Sequence, residues 1–292
     1  MKFPVLNGLL LLWMTFSLSY CSKNLSEHDS KISSRSIDGG LMVQIESGNF
    51  FMGTNSPLLP EYEKPLLDVK IAGFQLDQFE VSRAQYKKCV QANYCEKISH
   101  QPSYETSSTL PQTMITWFQA RKFCKWVGGD LPSEAQWEYA IRGALNTEYA
   151  WGTKLIDRKR GGIQLSHISY PTIKDKPLPV QYQNNVIADA NSELVWELGQ
   201  FGIYHLAGNV SEWTKDATSL EESNPSPITL TKVQSKKRKL DNPKFEEGNA
   251  RIYKGADYKT IFPRLQRASF RRAATPEQYY ENIGFRCVIN NP

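Results

Sequence analysis

The sequence predicts an α+β domain poor in regular secondary structure, with two or three short helices confined to its first half. Three observations carry that reading. Short stretches of partly alternating apolar residues near the start have the period of half-buried strands. Three segments then open with the same helix-starting device, and the apolar residues behind each recur at helical spacing. After Trp151-Gly152 helical periodicity disappears, and Pro, Gly, Asn and Asp punctuate the chain to its end. Aromatic residues make up 12% of the chain, which suits a fold whose large rings fill the space between irregular loops.

Leu41-Met42-Val43-Gln44-Ile45 reads as a strand, Gly48 to Gly53 as a second after a turn, and Phe74 to Val81 as a further extended stretch. The helices begin at Ser82-Arg83-Ala84-Gln85, Thr116-Trp117-Phe118-Gln119 and Ser133-Glu134-Ala135-Gln136. Each matches the capping box, in which the hydroxyl accepts from an orphan amide of the first turn and the Gln side chain reaches back. Each follows an apolar residue or proline, namely Val81, Ile115 and Pro132. The first helix runs toward Ala92 and turns Tyr86, Cys89 and Val90 inward. The second carries Ala120, Phe123, Cys124 and Val127 and stops at Gly128-Gly129; the third carries Trp137, Ala140 and Ile141 and stops at Gly143. These stripes are core packing. Beyond them, short strands are expected near Val180, Tyr204 and Ile252 and over 284–289, and 184–200 and 218–248 read as long surface loops.

Hydrophobic residues at 40% and charged residues at 22% supply a packed core and exclude wholesale disorder. A net charge of +5 over 292 residues is a mild excess. Its one dense run, Lys236-Lys237-Arg238-Lys239, sits among Ser, Pro, Asn and Thr and reads as a solvated loop, so no nucleic-acid partner is expected.

At the N-terminus, Lys2 precedes a mostly apolar run from Val5 to Phe16. Such a run is too short to cross a bilayer and has the length of a signal-peptide core. Leu18-Ser19-Tyr20-Cys21 resembles a bacterial lipobox, with Leu three residues before the Cys. Tyr20 is larger than the usual residue before the Cys, which is closer to the looser lipoboxes of spirochaetes than to the enterobacterial kind. The expectation is a signal peptide over 1–20, lipidation at Cys21, a flexible tether over 21–40 and a domain over 41–290. The chain would then sit in the cell envelope, on the membrane through its lipid, with ordinary cleavage and secretion as the alternative.

Without Cys21, four cysteines remain: Cys89, Cys95, Cys124 and Cys287. An even count in an exported chain suggests two disulfides with three possible connectivities. A helix end followed by a turn would bring Cys89 and Cys95 within bridging distance, leaving Cys124 for Cys287. That second bridge would constrain the unfolded chain by roughly 4–5 kcal/mol in the loop-entropy account. With no CxxC pair and poor His spacing, a zinc site is not expected.

The stretch from Met114 to Gly143, MITWFQARKFCKWVGGDLPSEAQWEYAIRG, is similar to the central motif of the formylglycine-generating enzyme (sulfatase-modifying factor) family. Tyr149-Ala150-Trp151-Gly152, the run GIYHLAGNVSEWT from Gly202 to Thr214, Ile252 to Tyr258, and Gly284-Phe285-Arg286-Cys287 resemble its later blocks. The opening MVQIESGNFFMG from Met42 to Gly53 resembles its first. The blocks stand in family order and span roughly residues 41–290. The resemblance implies a variant of the C-type lectin fold and a Cys124–Cys287 bridge.

It also implies a site, and this sequence departs from it. The family's aerobic enzymes hold copper on two cysteines and convert a substrate cysteine to formylglycine; soft thiolates are what Cu(I) demands. The two positions fall here on Thr260 and near Leu265, and the family's active-site Ser and Trp read Asp257 and Ser211. Copper is therefore not expected, nor formylglycine formation. Other members take iron from histidines of an extra helical domain. This chain has only His28, His100, His167 and His205, widely scattered, and no such domain.

Calcium is the remaining candidate metal. The resemblance places it on the carbonyls of Gly208 and Val210 and the carboxylate of Glu212, hard oxygens that suit it. His205 stands where an Asn or Asp oxygen would complete the set, and the alternative is that Glu212 pairs with Arg271 or Arg286. The expected function is a non-catalytic lipoprotein binding a protein or small molecule, the alternative an oxidoreductase of the superfamily with an altered site. The candidate binding surface is Ser211, Trp213, Asp257, Tyr258, Thr260, Phe262 and Arg264, for all of which plain loop packing is the bland role.

Overall fold

Alternation of apolar and polar residues lays down the first strands. The computed structural model describes residues 32–104, 107–150, 152, 177, 180, 200–218, 249–260 and 263–291. β1 (Ile32–Ser34), β2 (Leu41–Ile45), β3 (Gly48–Met52), β4 (Leu67–Ile71) and β5 (Phe74–Asp77) come first. In β3 and β4 burial alternates strictly at their ends, so Phe50, Met52, Val69 and Ile71 face inward while Phe51 and Asp68 face out. The helices are α1 (Arg83–Gln91), α2 (Trp117–Trp126) and α3 (Glu134–Arg142). All three expected capping boxes are formed, at Ser82, Thr116 and Ser133, each with its Gln three residues on. Gly143 ends α3 at φ 54°, a left-handed turn that glycine makes without a Cβ penalty.

The second half adds β6 (Ser211–Thr218), β7 (Ala250–Lys254), β8 (Arg271–Ala274), β9 (Ile283–Gly284) and β10 (Val288–Asn290). One sheet has the order β1-β2-β5-β10, another β8-β7-β6-β9, and β3 and β4 form a separate hairpin. The stretch expected to be one strand over 284–289 is thus two. β9 runs parallel to β6 and β10 antiparallel to β5, and Phe285-Arg286-Cys287 crosses between the sheets.

Among the described residues, two large clusters of buried side chains fill the domain, with two smaller ones beside them. One packs β2, β5 and the hairpin against Trp137, Ala140 and Ile141 of α3. The other gathers Tyr86 and Cys89 of α1, Phe123 and Cys124 of α2, Trp213 and Phe285. Burying each large aliphatic or Phe side chain contributes roughly 1.5–3 kcal/mol, so these stripes are what keeps such short helices folded. The disulfides are Cys89–Cys95 and Cys124–Cys287, each with Cα atoms 5.3 Å apart. The second ties α2 to the crossing between sheets.

Three expectations need correction. The tether does not extend to Gly40: Ile32, Ser33 and Ser34 pair with Val43, Met42 and Leu41. Buried Arg35 pairs with Asp38 at 2.7 Å within the segment and with Asp77 at 2.5 Å beyond it, so this polar-looking stretch is fixed to β5 by charge. Val180 lies in a turn, and Tyr204 forms a single bridge position, not a strand, its amide donating to the Gln78 carbonyl. The long loops expected over 184–200 and 218–248 lie, but for their end residues, outside the described residues, as do Cys21, Trp151, Phe262 and the Lys236 run. No helix among the described residues is long and apolar enough to cross a membrane.

Candidate functional site

β6 brings the expected site residues together by alternation. Ser211 and Trp213 share one face, Glu212 and Thr214 the other. Ser211 Oγ donates to the Gly255 carbonyl at 2.9 Å, and the Trp213 indole donates to the Ile115 carbonyl at 3.2 Å. Both residues are fully buried. They pin β6 to its neighbours and are not exposed as the expected surface required.

The loop after β7 follows the same rule. Gly255 takes φ +79° with Trp137 and the Leu206 carbonyl each 3.1 Å from where a Cβ would sit, so any side chain here would be both strained and crowded. Asp257 then organises the turn. Its Oδ1 accepts from the Lys259 amide at 2.9 Å and from Thr260 Oγ1 at 3.2 Å, and its Oδ2 accepts from Asn282 Nδ2 at 2.6 Å. In return the Asp257 amide donates to Thr260 Oγ1 at 3.1 Å. Lys259 reaches Glu281, which accepts from the Ser103 amide at 3.0 Å and its hydroxyl at 2.6 Å. The hydrogen bond from Lys259, followed by those from Ser103, pulls the Glu281 carboxyl down to about 2. Tyr258 is buried edge-on against Tyr104, ring centroids 6.0 Å apart. Arg264 is the one exposed residue of the expected set among those described.

Thr260 is buried and its hydroxyl is used within the turn, and Leu265 offers an aliphatic chain. Every cysteine among the described residues is in a disulfide. These donors do not fit Cu(I), which needs thiolates.

The other face of β6 holds a buried charge cluster. Arg286 Nε donates to Glu212 Oε2 and Nη2 to Oε1, both at 2.7 Å. The Trp137 indole donates to the same Oε2 at 2.9 Å. The remaining Arg286 protons go to the carbonyls of Asp77 at 2.9 Å, Gln78 at 3.3 Å and Tyr204 at 2.8 Å. Burial works against the charge on Arg286, but Glu212, Glu80 and Asp77 hold it above its ordinary value. Burial raises the Glu212 carboxyl while Arg286 pulls against it. Beside this pair, Glu80 Oε2 lies 2.8 Å from His205 Nδ1, and Oε1 accepts from Asn209 Nδ2 at 2.9 Å. Burial would raise Glu80 as well, yet His205 holds it below the usual carboxylate value.

Of the expected alternatives for Glu212, Arg286 is its partner; Arg271 instead lies 3.2 Å from Glu134. With Glu212 encircled by N–H donors, the set Gly208, Val210 and Glu212 does not fit calcium, which needs oxygen lone pairs turned toward the ion. Among the described residues no group of three or more His, Cys, Asp or Glu is placed to hold a metal.

Sequence reasoning missed Glu80 and Lys254. Lys254 is fully buried, 3.0 Å from Glu138 and 3.5 Å from Glu134. A weak signal was present at Glu80, a charge set between Phe79 and Val81 just ahead of the first capping box. Nothing local marks Lys254, whose partners lie on α3.

A profile of the family described as sulfatase-modifying factor enzyme 1-like domain matches residues 29–291, beginning ahead of β1. The formylglycine-generating enzyme of Mus musculus is 28% identical, over 86% of this chain and 75% of that protein. A Bos taurus protein named inactive C-alpha-formylglycine-generating enzyme 2 is 23% identical, over 85% of this chain and 87% of its own. PvdO from Pseudomonas aeruginosa shares the fold, with a TM-score of 0.65 at 20% identity over 89% of this chain and 98% of that one.

Proposed function

The chain belongs to the sulfatase-modifying factor enzyme 1-like domain family, and from that premise we propose that it is a non-catalytic member, a binding domain for a protein or small-molecule ligand. The observation that supports this reading is the state of the sulfur atoms. Cys89, Cys95, Cys124 and Cys287 are all consumed in disulfides, and the aligned copper positions carry a hydroxyl and an aliphatic chain. The Asp257 and Thr260 side chains are engaged with each other and with Asn282, as in a structural loop. Two disulfides suit an oxidising compartment, consistent with an exported, lipid-anchored chain in the cell envelope.

The test offers the purified protein a peptide carrying a sulfatase-type cysteine motif, oxygen and Cu(I). Mass spectrometry then looks for conversion of the cysteine to an aldehyde. No product above the protein-free control is expected. Aldehyde formation would establish the alternative, an oxidoreductase with an altered site. Export and lipidation are tested by fractionating cells and by mass analysis of the N-terminal peptide, with an unmodified Cys21 in a soluble fraction as the opposing result.

A further inference from the structure

Glu80 and Glu212 bury two carboxylates in one corner of the domain, each with side chains from the chain itself directed at its oxygens. We infer that this chain fills the corner with its own Arg286 guanidinium and His205 imidazole in place of a calcium ion, and so holds the turn from Tyr204 to Val210 and the start of β6 without metal. The inference is independent of whether the domain catalyses a reaction.

Four contacts carry it. Glu212 Oε1 faces Arg286 Nη2 and Oε2 faces Arg286 Nε, both at 2.7 Å. Glu80 Oε2 faces His205 Nδ1 at 2.8 Å and Oε1 faces Asn209 Nδ2 at 2.9 Å. Calcium takes about 6–8 oxygens at roughly 2.3–2.6 Å, and an approaching ion would have to displace these N–H groups from the acids it needs. The Phe79 and Tyr204 rings flank the imidazole, with centroids 6.2 and 6.1 Å away, which narrows the room for an ion with its water. The remaining carboxylate nearby, Asp77, is engaged by Arg35 and by the Cys287 amide.

The backbone adds an independent point. His205 and Asn209 both stand at positive φ, 65° and 64°. Both are residue types that enter this region more often than most, though at a cost a glycine would not bear. At this left-handed position the imidazole is turned onto a buried acid, Glu80.

The test uses terbium as a calcium surrogate on the full chain. A terbium ion at Glu212 would be sensitised by Trp137, whose indole touches that carboxylate. The wild-type protein is expected to give no calcium-quenchable emission and the same unfolding midpoint in calcium as in chelator. Emission that calcium quenches overturns the inference. So does a midpoint raised by several degrees at about 100 times the dissociation constant, as binding to the folded chain alone would require. His205→Asn keeps a residue that accepts positive φ and frees Glu80, but Arg286 still holds both oxygens of Glu212. It is expected to stay dark as the wild type does; calcium-quenchable emission from it would show that His205 alone excludes the ion and would overturn the share assigned to Arg286.

Discussion

The two disulfides bridge loops of very different length, and that difference yields a quantitative prediction. Cys124 and Cys287 are 163 residues apart, Cys89 and Cys95 only 6. The loop-entropy relation gives about 5 kcal/mol of stabilisation for the long loop and about 2 kcal/mol for the short one. All four side chains are buried, so replacement by alanine removes a similar amount of packing in each pair, on the order of 1 kcal/mol per residue. The packing losses cancel in the comparison. Cys124→Ala/Cys287→Ala is therefore expected to lose about 3 kcal/mol more than Cys89→Ala/Cys95→Ala. Urea unfolding of both variants and the wild type under oxidising conditions measures this. The slope of free energy against urea should also rise more in the long-loop variant, whose unfolded chain is released from the larger constraint. Equal losses, or a larger loss in the short-loop variant, would refute the argument that the long bridge acts by restricting the unfolded state.

Three further outcomes follow from particular contacts. Arg286→Met strips Glu212 of its bidentate partner and orphans three carbonyls, and should cost about 3–5 kcal/mol or prevent folding; a loss under about 1 kcal/mol on urea unfolding would count against the cluster as a structural pillar. Thr116→Ala removes one formed capping box at the start of α2 and should cost about 1 kcal/mol, read as a shift in the urea midpoint at constant slope. Burial lifts the Asp77 carboxyl from 3.8 to about 6. The folded chain then binds a proton that the unfolded chain has released, so stability falls as pH rises through the window from about 4 to about 6, by at most about 3 kcal/mol. Asp77→Asn should flatten that fall, and identical pH profiles for the two proteins would contradict the assignment.

What the sequence determined by itself was local or compositional. The three helices were legible because a capping box closes within four residues, and its hydroxyl and amide need no distant partner. Strands β2 and β3 were legible from alternation, though not their separation into different sheets. The absence of thiols at Thr260 and Leu265 was a fact of composition once the motifs were aligned. Tertiary structure decided the rest. Residues 32–40 look like a polar tether until Arg35 meets Asp77. Ser211 and Trp213 look like site residues until the strands around β6 bury them. Glu80 and His205 acquire meaning only when a chain separation of 125 residues is closed to 2.8 Å. A buried charge is stable only beside its counter-charge, and which residues become neighbours is settled by how the sheets and helices pack, not by the residues that flank them in the chain.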